Sequence, residues 1–347
     1  MYKLLSKILF RFDPEKTHNA VIKILKIIQK SNRMSKLLEG FYDYNAVKLS
    51  QTINGISFPN PIGLAAGFDK SAELPQILEK LGFGYIEVGG ITPLPQKGNA
   101  KPRLFRLVKD KALINRMGFN NDGSIKCYKS LYNKNFKKPI GVNVGVNKDS
   151  KDWINDYIKV IDQFVDTVDY FTINISSPNT KGLQTLHNPR EFKELSEAIK
   201  KHLNYFNYDI PIYLKVTSDI TFNDLDHILE TAPKYFNGIV LANTSQKRKG
   251  LIDQHKYEKG GLSGRPLFNY NLQLIKYSRG KVPKDFTIIG TGGIFSADDA
   301  ISMLKAGANI LQIYTSFVYE GPKITKSINK KLEVYMKKNN ITHISEI

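Results

Sequence analysis

The stretch YFTINISSPNTKG (residues 170–182) begins as a strand and ends as a polar turn. Phe171, Ile173 and Ile175 alternate with Thr172, Asn174 and Ser176, the period-two pattern of a pleated segment. Ser177, Pro178 and Asn179 then break the strand with small polar groups. An amide or hydroxyl left unpaired in a core costs about 1–3 kcal/mol. Asn174 and Ser177 therefore need either local turn bonds or a ligand.

Seven more runs of this kind lie along the chain: PIGLAAGF (61–68), YIEVGG (85–90), PIGVNVG (139–145), PIYLKV (211–216), GIVLANT (238–244), FTIIGTGG (286–293) and ILQIYTS (310–316). Helical patterns fill most of the gaps, at 151–167, 190–203, 221–232 and 296–306. Eight strand–helix units in one chain predict an α/β fold of the (β/α)8 TIM-barrel type, spanning 59–340. A doubly wound sheet fits less well, because no strand leads into a G-x-G-x-x-G turn with a later acidic residue. In such a barrel, chemistry gathers at the carboxyl ends of the strands. Those ends read Gly67-Phe68-Asp69-Lys70, Gly89-Gly90, Asn143, Asn174 with Ser177 and Asn179, Lys215, Asn243-Thr244, Gly292-Gly293 and Tyr314-Thr315.

The 347 residues suffice for one large barrel or two smaller domains, and 41% hydrophobic content excludes a disordered chain. The net charge of +19 suits nucleic acid, an anionic membrane, or simply a solvated lysine-rich surface. The single cysteine, Cys127, cannot form an intrachain disulfide, fits a reducing compartment and lacks the neighbours of a metal site. No apolar run approaches the ~20 residues of a membrane span, and no signal peptide is evident.

Residues 1–38 stand apart. In MYKLLSKILFRF, Leu4, Leu5, Ile8, Leu9 and Phe12 form one helical face and Lys3, Lys7 and Arg11 another. A second helix is announced by Asp13 as cap, Pro14 at its first position and Glu15 near the positive end of the dipole, with Val21, Ile24, Leu25 and Ile28 on one face. Nine Lys/Arg against two acidic residues suit a membrane-surface anchor. A helical cap packed on the barrel is the other reading, and both can hold. Residues 39–58 read as a linker and short hairpin.

At the rim, GTGGI (290–294), YTS and GGLSGRP (260–266) supply glycines at the end of the barrel where phosphates bind through main-chain N–H groups. Lys215 inside a barrel needs a partner: the N1–C2=O edge of a flavin, a Schiff base, or Asp69. No His or carboxylate pairing suggests a metal, and none of the six histidines ends a strand. Ser177 is left as an unusual proton acceptor, feeble without help.

Taken together, AAGFDK (65–70), KPRLFRL (101–107), NRMGFNN (115–121), NISSPNT (174–180), GGLSGRPL (260–267) and GTGGI closely resemble the quinone-using, membrane-associated class of the dihydroorotate dehydrogenase family. The resemblance runs through essentially the whole chain, including DPE..H at 13–18. It implies FMN as cofactor, oxidation of dihydroorotate to orotate in pyrimidine synthesis, a membrane quinone as acceptor, and a peripheral place on the cytoplasmic side of the cell membrane. It implies no nucleic-acid partner and no metal. By position, Ser177 becomes the base for the C5 proton, with Thr180 and Phe119 beside its proton route. Lys70, Asn115, Arg116, Met117, Gly118, Phe119, Asn174, Asn179, Asn243 and Thr244 fall at substrate positions. A flat ring of amides with a carboxylate asks for such amides and one cation. Ala65, Ala66, Gly67, Phe68, Asp69, Gly90, Asn143, Asn174, Lys215, Ala242, Gly264, Gly293, Tyr314 and Thr315 fall at FMN positions, and His18, Arg106 and Tyr314 at quinone positions.

Two residues depart from the pattern. Gly90 stands where relatives often carry Thr or Ser, which leaves one flavin hydrogen bond to the backbone alone, and Ala242 where threonine is common, which removes another. Ser177 and the basic N-terminal segment argue against a soluble flavin barrel using fumarate or a nicotinamide. The helical position of Cys127 argues against a tRNA dihydrouridine synthase. A non-catalytic binding barrel would leave Lys215, Ser177 and the asparagines without partners.

Overall fold

The computed structural model describes residues 2–44, 46–176, 183 and 188–347. Three helices come first: α1 (Tyr2–Leu9), α2 (Pro14–Gln29) and α3 (Asn32–Tyr42). A hairpin follows, β1 (Gln51–Ile53) and β2 (Ile56–Phe58), antiparallel, its turn carrying Asn54 and Gly55 at positive φ. That dipeptide suits the twist of a two-residue hairpin.

The barrel consists of β3 (Ile62–Leu64), β4 (Tyr85–Ile91), β7 (Ile140–Val144), β8 (Tyr170–Asn174), β9 (Ile212–Lys215), β10 (Gly238–Leu241), β12 (Thr287–Thr291) and β13 (Ile310–Ile313). Each pairs in parallel with the next, and β13 closes on β3. These are the eight runs expected from the sequence. The remaining strands, β5 (Leu104–Leu107), β6 (Ala112–Asn115) and β11 (Gly261–Gly264), form a separate antiparallel sheet in the order β11-β6-β5.

Strand alternation separates two apolar layers. Outward residues such as Ile86, Val88, Val142, Phe171, Ile173, Leu214 and Leu311 join the main core with helices including Trp153–Phe164, Pro189–Phe206 and Lys323–Lys338. Inward residues at the strand starts, Tyr85, Tyr170, Tyr213, Val240, Ile289 and Ile310, pack with Ile56 and Phe58 of the hairpin and plug the amino end. Glycine makes this plug possible: a Cβ at Gly141 would fall 2.1 Å from the Tyr170 ring. Asn54 Nδ2 donates to Tyr213 Oη (3.1 Å) and Thr287 Oγ1 (3.0 Å), fastening the hairpin over the plug.

The N-terminal segment differs from expectation in two respects. A third helix, α3, runs across the expected boundary at residue 38, capped by the Ser31 hydroxyl accepting from Met34 N–H (3.4 Å). The face of α2 is also split. Ile22, Leu25 and Ile28 pack against the core, while Ile24 and Ile27 stay exposed. The helix is apolar on two sides because only one of them meets the barrel. The α2 cap is as read: Asp13 accepts from Lys16 N–H (2.8 Å), with Pro14 at the first turn. Buried Arg103 holds Glu15 (2.8 Å), and Gln29 donates to Glu73 O (3.0 Å). Tyr2 Oη on α1 donates to Val318 O (2.7 Å). Among the described residues, no helix is long and apolar enough to cross a membrane.

Candidate active site

Above the tyrosine plug, the next inward residues are polar. Glu87 on β4 is fully buried and accepts from Asn143 Nδ2 on β7 (2.9 Å), Thr172 Oγ1 on β8 (2.9 Å) and Gln312 Nε2 on β13 (2.8 Å). Lys215 Nζ on β9 lies 3.5 Å from the same carboxylate. A buried charge costs several kcal/mol unless paired, and four strands each deliver one donor here. Lys215 thus pairs with Glu87. Asp69, the partner considered from sequence, instead accepts the main-chain N–H groups of Glu73 (3.0 Å) and Leu74 (2.8 Å). Glu87 was missed in the sequence. Its signal was a lone carboxylate in an apolar run, in phase with inward Tyr85.

Over this floor opens a cavity at the carboxyl ends of the strands, enclosing about 1250 Å³ of atom-free space, its mouth included. It gathers most of the residues singled out from sequence. Lys70, Asn115, Met117, Gly118, Phe119, Asn174, Asn243 and Thr244 line it, as do Ala65, Ala66, Gly67, Gly90, Asn143, Lys215, Ala242, Gly264, Gly293, Tyr314 and Thr315. Leu104, Leu113 and Ser263 of the separate sheet wall one side, which the strand pattern did not foresee.

Three residues turn elsewhere. Phe68 packs edge-on against Phe317 (5.2 Å) and His18 (5.2 Å). Asp69 serves its own loop. Arg116 bonds Glu258 (2.9 Å) and Lys259 O (2.9 Å), away from the cavity. Ser177, Asn179 and Thr180 lie outside the described residues. Gly90 has a local reason: a Cβ there would fall 2.6 Å from the Phe119 ring, which packs on the bare main chain.

The residues fit a phosphate-bearing heterocyclic cofactor. Among the described residues, Gln312 Oε1 and Ser316 Oγ are buried without a hydrogen-bond partner, and both side chains belong to the cavity wall. Buried polar atoms are nearly always satisfied, and a group bound in the cavity could complete these two. Gly264 and Gly293 adopt positive φ (108° and 81°) in the wall, and a Cβ at Gly293 would strike Phe268 Cβ at 2.6 Å. Such glycines let main-chain N–H groups approach a phosphate.

The three residues at quinone positions form no single cluster. Tyr314 is in the cavity, its hydroxyl pushed up to about 12 by burial. His18 lies in a second cleft between α2 and the barrel, with Glu15, Asn19 and Ile22; Lys70 lines both clefts. Burial first, then the Lys70 charge, lowers His18 to about 3. Arg106 clasps α1's exit, donating to Phe12 O (2.9 Å) and Phe10 O (3.3 Å) and lying 4.8 Å over the Phe10 ring. No cluster able to hold a metal occurs among the described residues.

A sequence model of dihydroorotate dehydrogenase matches residues 48–336. The chain belongs to the dihydroorotate dehydrogenase family. Family members named dihydroorotate dehydrogenase (quinone) align over nearly its whole length. One from Agrobacterium fabrum is 40% identical over 98% of this chain and 93% of its own. One from Christiangramia forsetii is 41% identical over 96% and 98%. Among solved structures, DHODH from Eimeria tenella in complex with ferulenol superposes with TM-score 0.87, at 32% identity, covering 96% of this chain and 94% of that one. The ligand-free form gives 0.85 at 33% identity, with 96% and 98% covered. Membership in the family makes the chain an oxidoreductase.

Proposed function

We propose that this protein oxidises dihydroorotate to orotate in pyrimidine synthesis, using FMN as prosthetic group and a membrane quinone as electron acceptor. The observation that carries the reading is the composition of one cavity. Lys70 and the amides of Asn115, Asn174 and Asn243 converge there with the glycines, the orphaned Gln312 and Ser316, and Lys215.

Lys70 offers the cation for the substrate carboxylate, and the asparagines offer donors and acceptors for the ring amides. Ser177 takes the C5 proton, and Thr180 and Phe119 flank its way out. Ala65, Ala66, Gly67, Gly90, Asn143, Asn174, Lys215, Ala242, Gly264, Gly293, Tyr314 and Thr315 would hold FMN, with Phe68 and Asp69 shaping the loop behind it. FMN, when bound, supplies the electrophilic N5 that accepts the C6 hydride and passes the electrons on. Lys215, kept in place by Glu87, holds positive charge beneath the cofactor site. Asn179, Arg116, Met117, Gly118 and Thr244 complete the substrate positions, with Arg116 acting through its bond to Glu258.

His18 in the second cleft, Tyr314 in the first cavity and Arg106 at the end of α1 would serve the quinone. Exposed Leu4, Leu5, Ile8 and Phe12 on or next to α1, with Ile24 and Ile27 on α2, give residues 1–38 an apolar face for the cytoplasmic surface of the cell membrane. Anaerobic mixing with dihydroorotate tests the reading: the purified protein should be yellow and bleach, then recover on adding quinone. Ser177→Ala should keep FMN and bleach at least a hundredfold more slowly. Colourless protein that cannot be loaded with FMN would refute the assignment.

A further inference from the structure

Five side chains form one hydrogen-bonded line from the barrel floor to the rim, and every link donates toward the floor. Asn143 Nδ2 donates to Glu87 Oε1 (2.9 Å) and Asn174 Nδ2 to Asn143 Oδ1 (2.9 Å). Ser176 Oγ then donates to Asn174 Oδ1 (2.7 Å), and Asn243 Nδ2 to Ser176 Oγ (2.8 Å).

The direction is set by groups that cannot reverse. At the floor, Thr172 and Gln312 likewise donate to Glu87, with the Lys215 ammonium beside them. Farther up, the main-chain N–H of Ser176 donates to Asn174 Oδ1 (3.1 Å), and a main-chain N–H has no acceptor form. These two fixed points agree, so the Asn143 and Asn174 amides between them are locked. Reversing Asn243 would force the Ser176 hydroxyl to turn from Asn174 and give up its 2.7 Å bond. With one Nδ2 hydrogen given to Ser176, Oδ1 is the acceptor that Asn243 offers in the cavity it lines.

We propose that the upper part of this line is a polarity relay: Ser176, its main-chain N–H and hydroxyl both committed to Asn174 Oδ1, orients Asn243 so that its Oδ1 accepts from a ring N–H of the substrate. The proposal rests on the dihydroorotate reading above. Ser176 is fully buried and does not line the cavity. It acts as a positioning residue, without touching substrate. A site built to accept a ring N–H rejects a misplaced donor, because two N–H groups then face each other unpaired.

The test uses FMN-loaded protein and orotate, with affinity measured by titration calorimetry at neutral pH. Ser176→Ala frees Asn243 to rotate and should weaken orotate about tenfold, or roughly 1.4 kcal/mol. Ser176→Thr keeps a hydroxyl at this position and should bind orotate more tightly than Ser176→Ala. Undiminished affinity in Ser176→Ala, or an equal loss in Ser176→Thr, would overturn the relay. Should Ser176→Thr not fold, Ser176→Ala alone decides. Failure of the unaltered, FMN-loaded protein to bind orotate would instead overturn the functional reading beneath it.

Discussion

His18 Nε2 on α2 lies 3.3 Å from Lys70 Nζ, which follows the first barrel strand. One ammonium thereby joins the N-terminal helices to the active-site cavity. Burial lowers Lys70 to about 8, against the opposing pull of Asp69 and Glu15. Burial and Lys70 together hold His18 near 3. Near neutrality the pair is an ammonium donating to a neutral imidazole.

That titration gives orotate binding a pH dependence. On the proposed function, only protonated Lys70 would pair with the substrate carboxylate. Affinity should be flat below about pH 8 and fall by about tenfold per pH unit above it, as the folded protein releases the Lys70 proton. Calorimetric titration from pH 6.5 to 9.5 reads the break directly. Lys70→Met should weaken orotate by roughly 10- to 100-fold, the size of a charge-assisted hydrogen bond, and erase the break. A break surviving in Lys70→Met would assign the titration to another group.

Acid should loosen α2 before the barrel. His18 titrates near 6.5 when unfolded and near 3 when folded. The folded state therefore binds fewer protons between those values, and stability falls with pH across that window. The His18 contribution is complete above pH 6.5 and is lost progressively toward pH 3. Protection factors in residues 14–29, corrected for the intrinsic slowing of amide exchange in acid, should fall from pH 6.5 to 5. His18→Phe should flatten that trend. An unchanged pH profile in the variant would remove His18 as its source.

The Glu15–Arg103 pair carries a separate mechanical load. Burial raises the Glu15 pKa, but the hydrogen bonds and charge of Arg103, with Lys101, outweigh it and leave the carboxyl below its ordinary value. Arg103 also donates to Lys97 O (2.7 Å) and Asn99 O (2.9 Å). Breaking one side of a buried pair costs about 3–5 kcal/mol. Arg103→Met should therefore expose residues 1–30 to protease, while Glu15→Gln combined with Arg103→Met should recover part of the loss. Equal protease resistance in Arg103→Met would show that α2 is held chiefly by Ile22, Leu25, Ile28 and Gln29.

The barrel was legible because each strand reports its own alternation, and a closed parallel sheet needs little beyond eight such reports. The cap of α2 was legible for the same local reason. What escaped was nonlocal. Glu87 looked like an isolated carboxylate because its four partners come from residues 143, 172, 215 and 312 on other strands. The sheet of β5, β6 and β11 escaped because it is completed only when Gly261–Gly264 pairs with Ala112–Asn115, far away in the chain. The helix α3 contains Gly40, a weak helix former, and gains its stability from contacts such as Lys80 to Glu39 (3.1 Å). The placement of Arg106 depended on where Phe10 and Phe12 end, which no motif encodes.

The exposed apolar residues of α1 let the proposed membrane attachment be tested apart from folding. Leu5 and Ile8 are 48% and 53% exposed, so replacing both with Gln removes little packing. Such surface changes usually alter stability by about 0.5 kcal/mol or less. Burial in a bilayer surface, by contrast, draws roughly 1.5–3 kcal/mol from each large apolar side chain. The double variant Leu5→Gln/Ile8→Gln should keep its melting temperature, FMN content and reduction by dihydroorotate. Its partitioning onto vesicles with anionic lipid should fall by at least tenfold, and quinone turnover on those vesicles should fall with it. Binding of the unaltered protein should also weaken with added salt, because Lys7, Arg11 and Lys23 flank the same face. Vesicle binding undiminished by the two substitutions would place the contact elsewhere, with Met34, Leu37 and Phe41 of α3 the next exposed apolar residues to replace.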